Sequence, residues 1–241
     1  MKKKVLFLLP NLLYPSSSIE NIFSPKVKEI VKDLDGLIAE SEKGAREYLF
    51  HFLTREQITK IPIYLLNEHT QKEEIFHLLS LLIKGGKWGL VSDCGLPILA
   101  DPGSELVLLA REKNIQIKAI SGPSSIFLSL MLSGLPSQRF FFHGYLPRKE
   151  EILKKKIKEI EKLSLIQKAT QIFIETPYRV DKLLKILLDV LKDSTYLCLA
   201  ENISFPSQRV ETKKISLWKK KSFKKGKRPA VFLLYGGKDF S

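Results

Sequence analysis

Hydrophobic positions run along this chain in two rhythms. Continuous apolar stretches, rich in β-branched and aromatic residues, stand at Val5–Leu9, Gly36–Ala39, Ile61–Leu65, Trp88–Ser92 and Ile115–Ile120. Each reads as a strand covered on both faces. Apolar residues recur at helical spacing between them. Ser24-Pro25 ahead of "KVKEIVKDL" supplies an N-cap and a proline at the first helical position, where its missing N–H is not needed. Such alternation predicts βαβ units and a parallel sheet over residues 1–119.

Beyond Ile120 the rhythm changes. "SGPSS" reads as a turn and "IFLSLMLSGL" as a helix. Strands are predicted at Arg139–His143, Thr170–Glu175, Thr195–Ala200, Val210–Ile215 and Ala230–Tyr235, with helices near 149–163 and 177–191. The last three strands follow one another without a helix, so the second sheet is expected to be mixed or largely antiparallel. The expected fold is therefore α/β with two domains, 1–120 on a mostly parallel sheet and 121–241 on a mixed one, dividing near Ile120–Gly122.

Composition narrows the class. The 241 residues, 44% of them hydrophobic, suffice for one large core or two smaller ones. Two cysteines, Cys94 and Cys198, are too few for a disulfide framework and too far apart for a metal-ligand spacing. A reducing cytoplasm and no bound metal are expected. The start "MKKKVLFLLPNLL" has the basic head of a signal peptide, but Pro10 and Asn11 interrupt its apolar stretch, so a first buried strand is expected instead. No run reaches the roughly 18 apolar residues of a membrane span.

Charge distinguishes the two halves. Residues 1–119 hold 16 Lys and Arg against 15 Asp and Glu, whereas residues 120–241 hold 24 against 11. The tract "KKISLWKKKSFKKGKR" at 213–228 has nine basic residues and no acid, with Trp218 and Phe223 interleaved. Cations meet phosphates and rings stack on unpaired bases, so Lys219, Lys220, Lys221, Lys224 and Lys225 are candidate RNA contacts; a solvated loop is the alternative. A second tract, "RKEEILKKKIKEIEKL" at 148–163, offsets half its bases with acids and reads as a surface helix.

The segment "WGLVSDCGLPILADPG" at 88–103 carries the densest candidate chemistry. Its strand leads into a loop at the carboxyl end of a parallel sheet, where open α/β sheets bind ligands. Prolines stiffen that loop and glycines allow backbone to approach a ligand closely. The plainer alternative is that Asp93 or Asp101 merely caps the helix that starts near Ser104.

"VSDCGLPILADPG" resembles the S-D-A-G-x-P-x-x-x-D-P-G signature of the tetrapyrrole methylase superfamily, in particular its ribosomal RNA 2′-O-methyltransferase branch. The likeness continues in order through "SGPSS" at 121–125, "SGLPSQRFFFHGYLPRK" at 133–149, "FIETPYR" at 173–179 and "AEN" at 200–202. The resemblance implies an S-adenosylmethionine-dependent methyltransferase, a homodimer with its cofactor in a cleft between two α/β domains, acting on ribosomal RNA or the small ribosomal subunit. It places Asp93, Cys94 and Gly95 along the methionine and sulfonium portion, with Leu96 and Leu99 as apolar contacts and Ser124 and Ser125 helping to hold the cofactor. Pro10 stands at the mouth of the first strand. Met131 and Leu132 would pack on adenine or else belong to the core, and Pro229 and Ala230 would line the adenine with backbone groups.

Methylating a hydroxyl requires proton removal as the bond forms. Glu175, Arg179 and Asn202, with Glu201, are the candidates from the matched runs; an ion pair between Glu175 and Arg179 that fixes a helix start is the alternative. His143 lacks a visible tuning partner, and with Tyr145 it is expected at the cleft mouth. The chain departs from the branch in its first loop, "LLPNLLYPSSSIENI", which has no glycine, in "AESEKGAREYL" at 39–49, and in a shorter C-terminal part. A small-molecule methyltransferase and a degenerate RNA-binding protein are the competing readings.

Overall fold

The structure, a computed structural model, describes residues 3–15, 18–222 and 226–237. Lys224 and Lys225, with Phe223 between the expected RNA contacts, lie outside the described residues. The chain divides into two compact units, Met1–Ser124 and Ser125–Ser241.

In the first unit, β1 (Lys4–Leu8), β2 (Gly36–Ala39), β3 (Ile63–Leu65), β4 (Gly86–Val91) and β5 (Gln116–Ala119) form one sheet in the order β3-β2-β4-β1-β5. Every neighbouring pair is parallel, as the alternation predicted. The helices between strands are α1 (Ile19–Ile22), α2 (Pro25–Lys32), α3 (Glu42–Phe50), α4 (Arg55–Ile58), α5 (Lys72–Lys84) and α6 (Ser104–Glu112). Side chains alternate along β1: Val5 and Phe7 join a core with α2 and α3, while Leu6 joins one with α5 and α6. Two covered faces explain why these strands read as unbroken apolar runs. The helix α2 starts where Ser24-Pro25 said, although the Ser24 hydroxyl makes no cap hydrogen bond and its carbonyl accepts from Val27 N at 2.9 Å.

The second unit holds α7 (Ser125–Ser133), β6 (Phe140–Tyr145), α8 (Glu150–Gln167), β7 (Thr170–Glu175), α9 (Val180–Val190), β8 (Tyr196–Glu201), β9 (Arg209–Lys214), α10 (Ile215–Trp218) and β10 (Ala230–Tyr235). Its sheet runs β6-β7-β10-β8-β9. Only β6 and β7 pair in parallel; the other three pairs are antiparallel. The mixed sheet expected from consecutive strands is therefore present. The last strand, β10, is central and fully buried, and Phe232 stacks on Phe173 with ring centroids 5.6 Å apart. Edge strand β9, "RVETKK", has no fully buried residue and carries its lysines where a charged edge discourages further pairing.

Candidate cofactor and substrate site

Because β4, β1 and β5 are parallel neighbours, the loops at their carboxyl ends lie side by side. Asn11 joins two of them. Its side-chain amide donates to the carbonyls of Ser92 at 2.9 Å and Asp93 at 3.1 Å, and its backbone N–H donates to Gly95 O at 2.7 Å. Buried Asn11 thus anchors the glycine-free first loop. The third loop closes on the first at Gly122, where an added Cβ would lie 2.0 Å from Pro10 Cβ. An open pocket of about 370 Å³ results, lined by Leu8, Leu96, Pro97, Leu99, Ile120 and Ser121 among others.

The loop after β4 is strained as well as packed. Gly95 has φ +72°, a value open to glycine, but Ile98 at +76° and Ala100 at +73° share that left-handed region. For a β-branched residue this is an outlier that costs on the order of 1–3 kcal/mol, and such strain concentrates at ligand sites.

Carboxylates gather around the loop after β4. The Ser41 hydroxyl caps α3 by accepting from Gly44 N at 2.9 Å and donates to Asp93 Oδ1 at 2.8 Å. The Asp93 N–H in turn donates to Glu40 Oε2 at 3.2 Å. Asp101 is raised to about 6, chiefly by burial and further by Glu40 and Asp93, against a hydrogen bond from Ser92. Cys94 lies at the surface, yet the packing around its sulfur and then the same carboxylates push the thiol up to about 11. It stays protonated and is no thiolate nucleophile.

The second unit brings six of the candidate residues to one end of its sheet. Ala230 opens β10 directly opposite Glu175, the last residue of β7, and Glu201, the last of β8. Asn202, at φ +51°, donates its backbone N–H to Pro229 O at 3.0 Å. Glu175 is 3% exposed. Its Oε1 accepts from Thr176 N at 2.7 Å, and its Oε2 makes no hydrogen bond but faces Arg179 at 3.2 Å. Arg179 precedes α9 and also donates to Pro147 O at 3.4 Å. Glu201, equally buried, is paired with Arg228, which reaches Asp181 at 3.2 Å.

Other candidates scatter. Ser124 is buried at the end of the first unit and Ser125 starts α7. Met131 and Leu132 are exposed on α7, which excludes a core role. Trp218 is also placed differently from the expectation of an aromatic free to stack on RNA. It is 1% exposed and its Nε1 donates to Leu197 O at 2.8 Å, because its large ring completes the core under α8 and α9. In the basic tract Lys219 pairs with Asp193 at 2.7 Å and Lys221 pairs with Glu211. Burial alone would raise Glu211, but hydrogen bonds from Lys213, Lys221 and Arg209 outweigh it and hold the carboxyl near 2. Lys220 has no acidic partner among the described residues. His143 Nε2 lies 2.8 Å from Gln171 Oε1 on the neighbouring strand.

The sequence matches the family described as Tetrapyrrole (Corrin/Porphyrin) Methylases over residues 21–217. The chain belongs to the tetrapyrrole methylase family. It is a methyltransferase by that membership. Relatives named Ribosomal RNA small subunit methyltransferase I include one from Vibrio cholerae, 27% identical over 98% of this chain and 78% of its own length. One from Rickettsia prowazekii is 30% identical over 86% of this chain and 71% of its own length. One from Escherichia coli O157:H7 is 30% identical over 83% of this chain, which spans 65% of that relative. Two solved structures share the tetrapyrrole methylase fold: the methyltransferase CobJ, with a TM-score of 0.62 at 14% identity over 98% of this chain and 94% of that one, and diphthine synthase, with 0.65 at 18% over 96% and 89%.

Leu8, Pro97, Ile120, Ser121 and Gly122 line the pocket without any local sequence signal of that role, although Ser121 and Gly122 belong to the "SGPSS" run. Asn11 carries no sequence signal beyond its position after β1. None of these carries a signal until the three loops are known to be neighbours.

Proposed function

We propose that this protein transfers the methyl group of S-adenosylmethionine to a ribose 2′-hydroxyl of small-subunit ribosomal RNA. The observation that carries the proposal is the pocket at the carboxyl edge of the first sheet, with a strained, tied-down loop from β4 as one wall. Its volume is in the range of small-molecule sites. Its lining fits the cofactor: Leu96, Pro97 and Leu99 offer apolar contact and Gly122 brings backbone close, while Asp93 and Asp101 on the same loop, with Glu40 hydrogen-bonded to Asp93, set up a field that favours a cation. The names of the relatives, together with the basic second half of the chain, support RNA as the acceptor.

When bound, the cofactor supplies an electrophilic methyl group on a sulfonium. The chain's part is to hold it and to orient the acceptor hydroxyl in line with that methyl group. Glu175 and Arg179 act as positioning residues that set the turn from β7 into α9, since buried Glu175 accepts from Thr176 N and forms an ion pair with Arg179. Asn202 positions Pro229 and Ala230 beside them.

Work as a homodimer in the cytoplasm completes the reading. The exposed Phe127, Met131, Leu132, Phe140 and Phe141 give the second unit an apolar surface suited to a second copy. No helix among the described residues is long and apolar enough to cross a membrane. Incubating the protein with methyl-labelled S-adenosylmethionine and either small ribosomal subunits or a tetrapyrrole tests the acceptor. Label in the RNA supports the proposal; label only in the tetrapyrrole refutes it.

A further inference from the structure

We propose that Tyr178 is a stacking platform for an unpaired base of the RNA, with Lys227 holding an adjoining phosphate; this rests on the RNA reading above. Tyr178 is 75% exposed, so its ring adds little to the core. It is nevertheless held in a defined setting. Lys227 Nζ stands 4.7 Å from its ring centroid, leaving a cation against a ring that remains mostly open to solvent.

Both partners are fixed from below. The Tyr178 backbone lies in a turn closed by Arg179 N to Thr176 O at 2.9 Å and tied to buried Glu175. The residues flanking Lys227 are clasped to α9: Gly226 N donates to Asp181 Oδ2 at 3.1 Å, and Arg228 bridges Asp181 and Glu201. A pre-set ring loses little freedom when a base stacks on it. Next to Tyr178 in sequence, Arg179 and Lys182 line one small pocket together with Arg148. The acids in the neighbourhood are occupied: Asp181 by Arg228, and Glu150 by Lys154 at 2.8 Å and Lys182 at 3.8 Å. An aromatic ring among cations is the combination that binds single-stranded nucleic acid, and a stacked base is read without regard to its edge pattern.

The test measures binding of deproteinised small-subunit rRNA at fixed salt by Tyr178→Ala, Tyr178→Phe and Tyr178→Leu, with S-adenosylmethionine affinity and thermal unfolding followed in parallel. Loss of one stacked base weakens binding about tenfold. That loss is expected for the Ala and Leu variants, with Phe within twofold of wild type and with cofactor affinity and unfolding unchanged. Unchanged RNA affinity in Tyr178→Ala, or rescue by Leu, overturns the platform while leaving the methyltransferase reading intact. Equal losses of RNA binding, cofactor binding and stability in Tyr178→Ala would assign the ring to the fold and overturn it too. Failure of the wild-type protein to bind or methylate rRNA would instead remove the reading on which the platform rests.

Discussion

Gly122→Ala is the smallest change that separates the pocket from the core around it. The new Cβ would lie 2.0 Å from Pro10 Cβ and 2.8 Å from its Cγ, where carbon atoms need roughly 3.5–4.0 Å. One side must therefore move by about 1.5 Å or more. Pro10 cannot yield by rotating, since its ring is locked, and the next residue, Asn11, is tied to Ser92, Asp93 and Gly95. The displacement falls on residues 120–122, which line the pocket. Overpacking of this kind costs about 1–3 kcal/mol of stability, and misplacement by an ångström lowers a methyl-transfer rate on the order of a hundredfold. A thermal melt reads the first effect and a single-turnover methyl-transfer assay the second, with calorimetric titration of S-adenosylmethionine reporting occupancy of the pocket. Gly134→Ala is the control: at φ +68° with no atom within 4 Å of the added carbon, it introduces backbone strain without closing on a loop. A folded Gly122→Ala protein that binds the cofactor with wild-type affinity would refute the placement of the site.

Asp101 binds its proton more tightly in the folded state, about 6, than an unfolded aspartate does, so stability is lost as pH rises from 4 through 6. Asp101→Asn is expected to stabilise the protein by about 1 kcal/mol at pH 7.5, after allowance for partial exposure, with the gain vanishing at pH 4 in urea unfolding. Trp218→Ala, which empties a fully buried site and removes the indole hydrogen bond to the Leu197 carbonyl, is expected to cost about 3–5 kcal/mol in the same assay. Lys220→Gln is expected to lower the slope of log RNA affinity against log salt by about one unit, and Lys219→Gln or Lys221→Gln by less, because Asp193 and Glu211 already engage those ammonium groups.

The fold was legible where one strand's surroundings are uniform. Gly36–Ala39, Thr170–Glu175 and Ala230–Tyr235 occupy the ranges that their apolar runs announced, since buried strands write their environment into every position. Ile61–Leu65 is shorter than expected, β3 beginning after Pro62, whose ring has no N–H for the ladder. Strand order was not legible: that β4 lies between β1 and β2 depends on crossovers that local spacing does not encode. The same limit hid the site's construction. The approach of Gly122 to Pro10 and of Asn11 to Gly95 joins residues distant in the chain. In the basic tract, composition showed the lysines but not their partners, so Lys219 and Lys221 looked as free as Lys220. Trp218 looked like a stacking residue because interleaving with lysine is visible and burial is not. Tyr178 is hidden inside "FIETPYR" for the converse reason, its exposure being set by the turn between β7 and α9.

The proposed reaction is methyl transfer to a ribose hydroxyl of small-subunit RNA. Its most direct test is to methylate small ribosomal subunits with the purified protein and labelled S-adenosylmethionine, digest the RNA with alkali, and map the product by mass. A methylated 2′-oxygen blocks the neighbouring cleavage, so label is expected at one nucleotide in an alkali-resistant dinucleotide. Label on a base, released in alkali-sensitive mononucleotides, or no label in RNA from a protein that binds the cofactor, would contradict it.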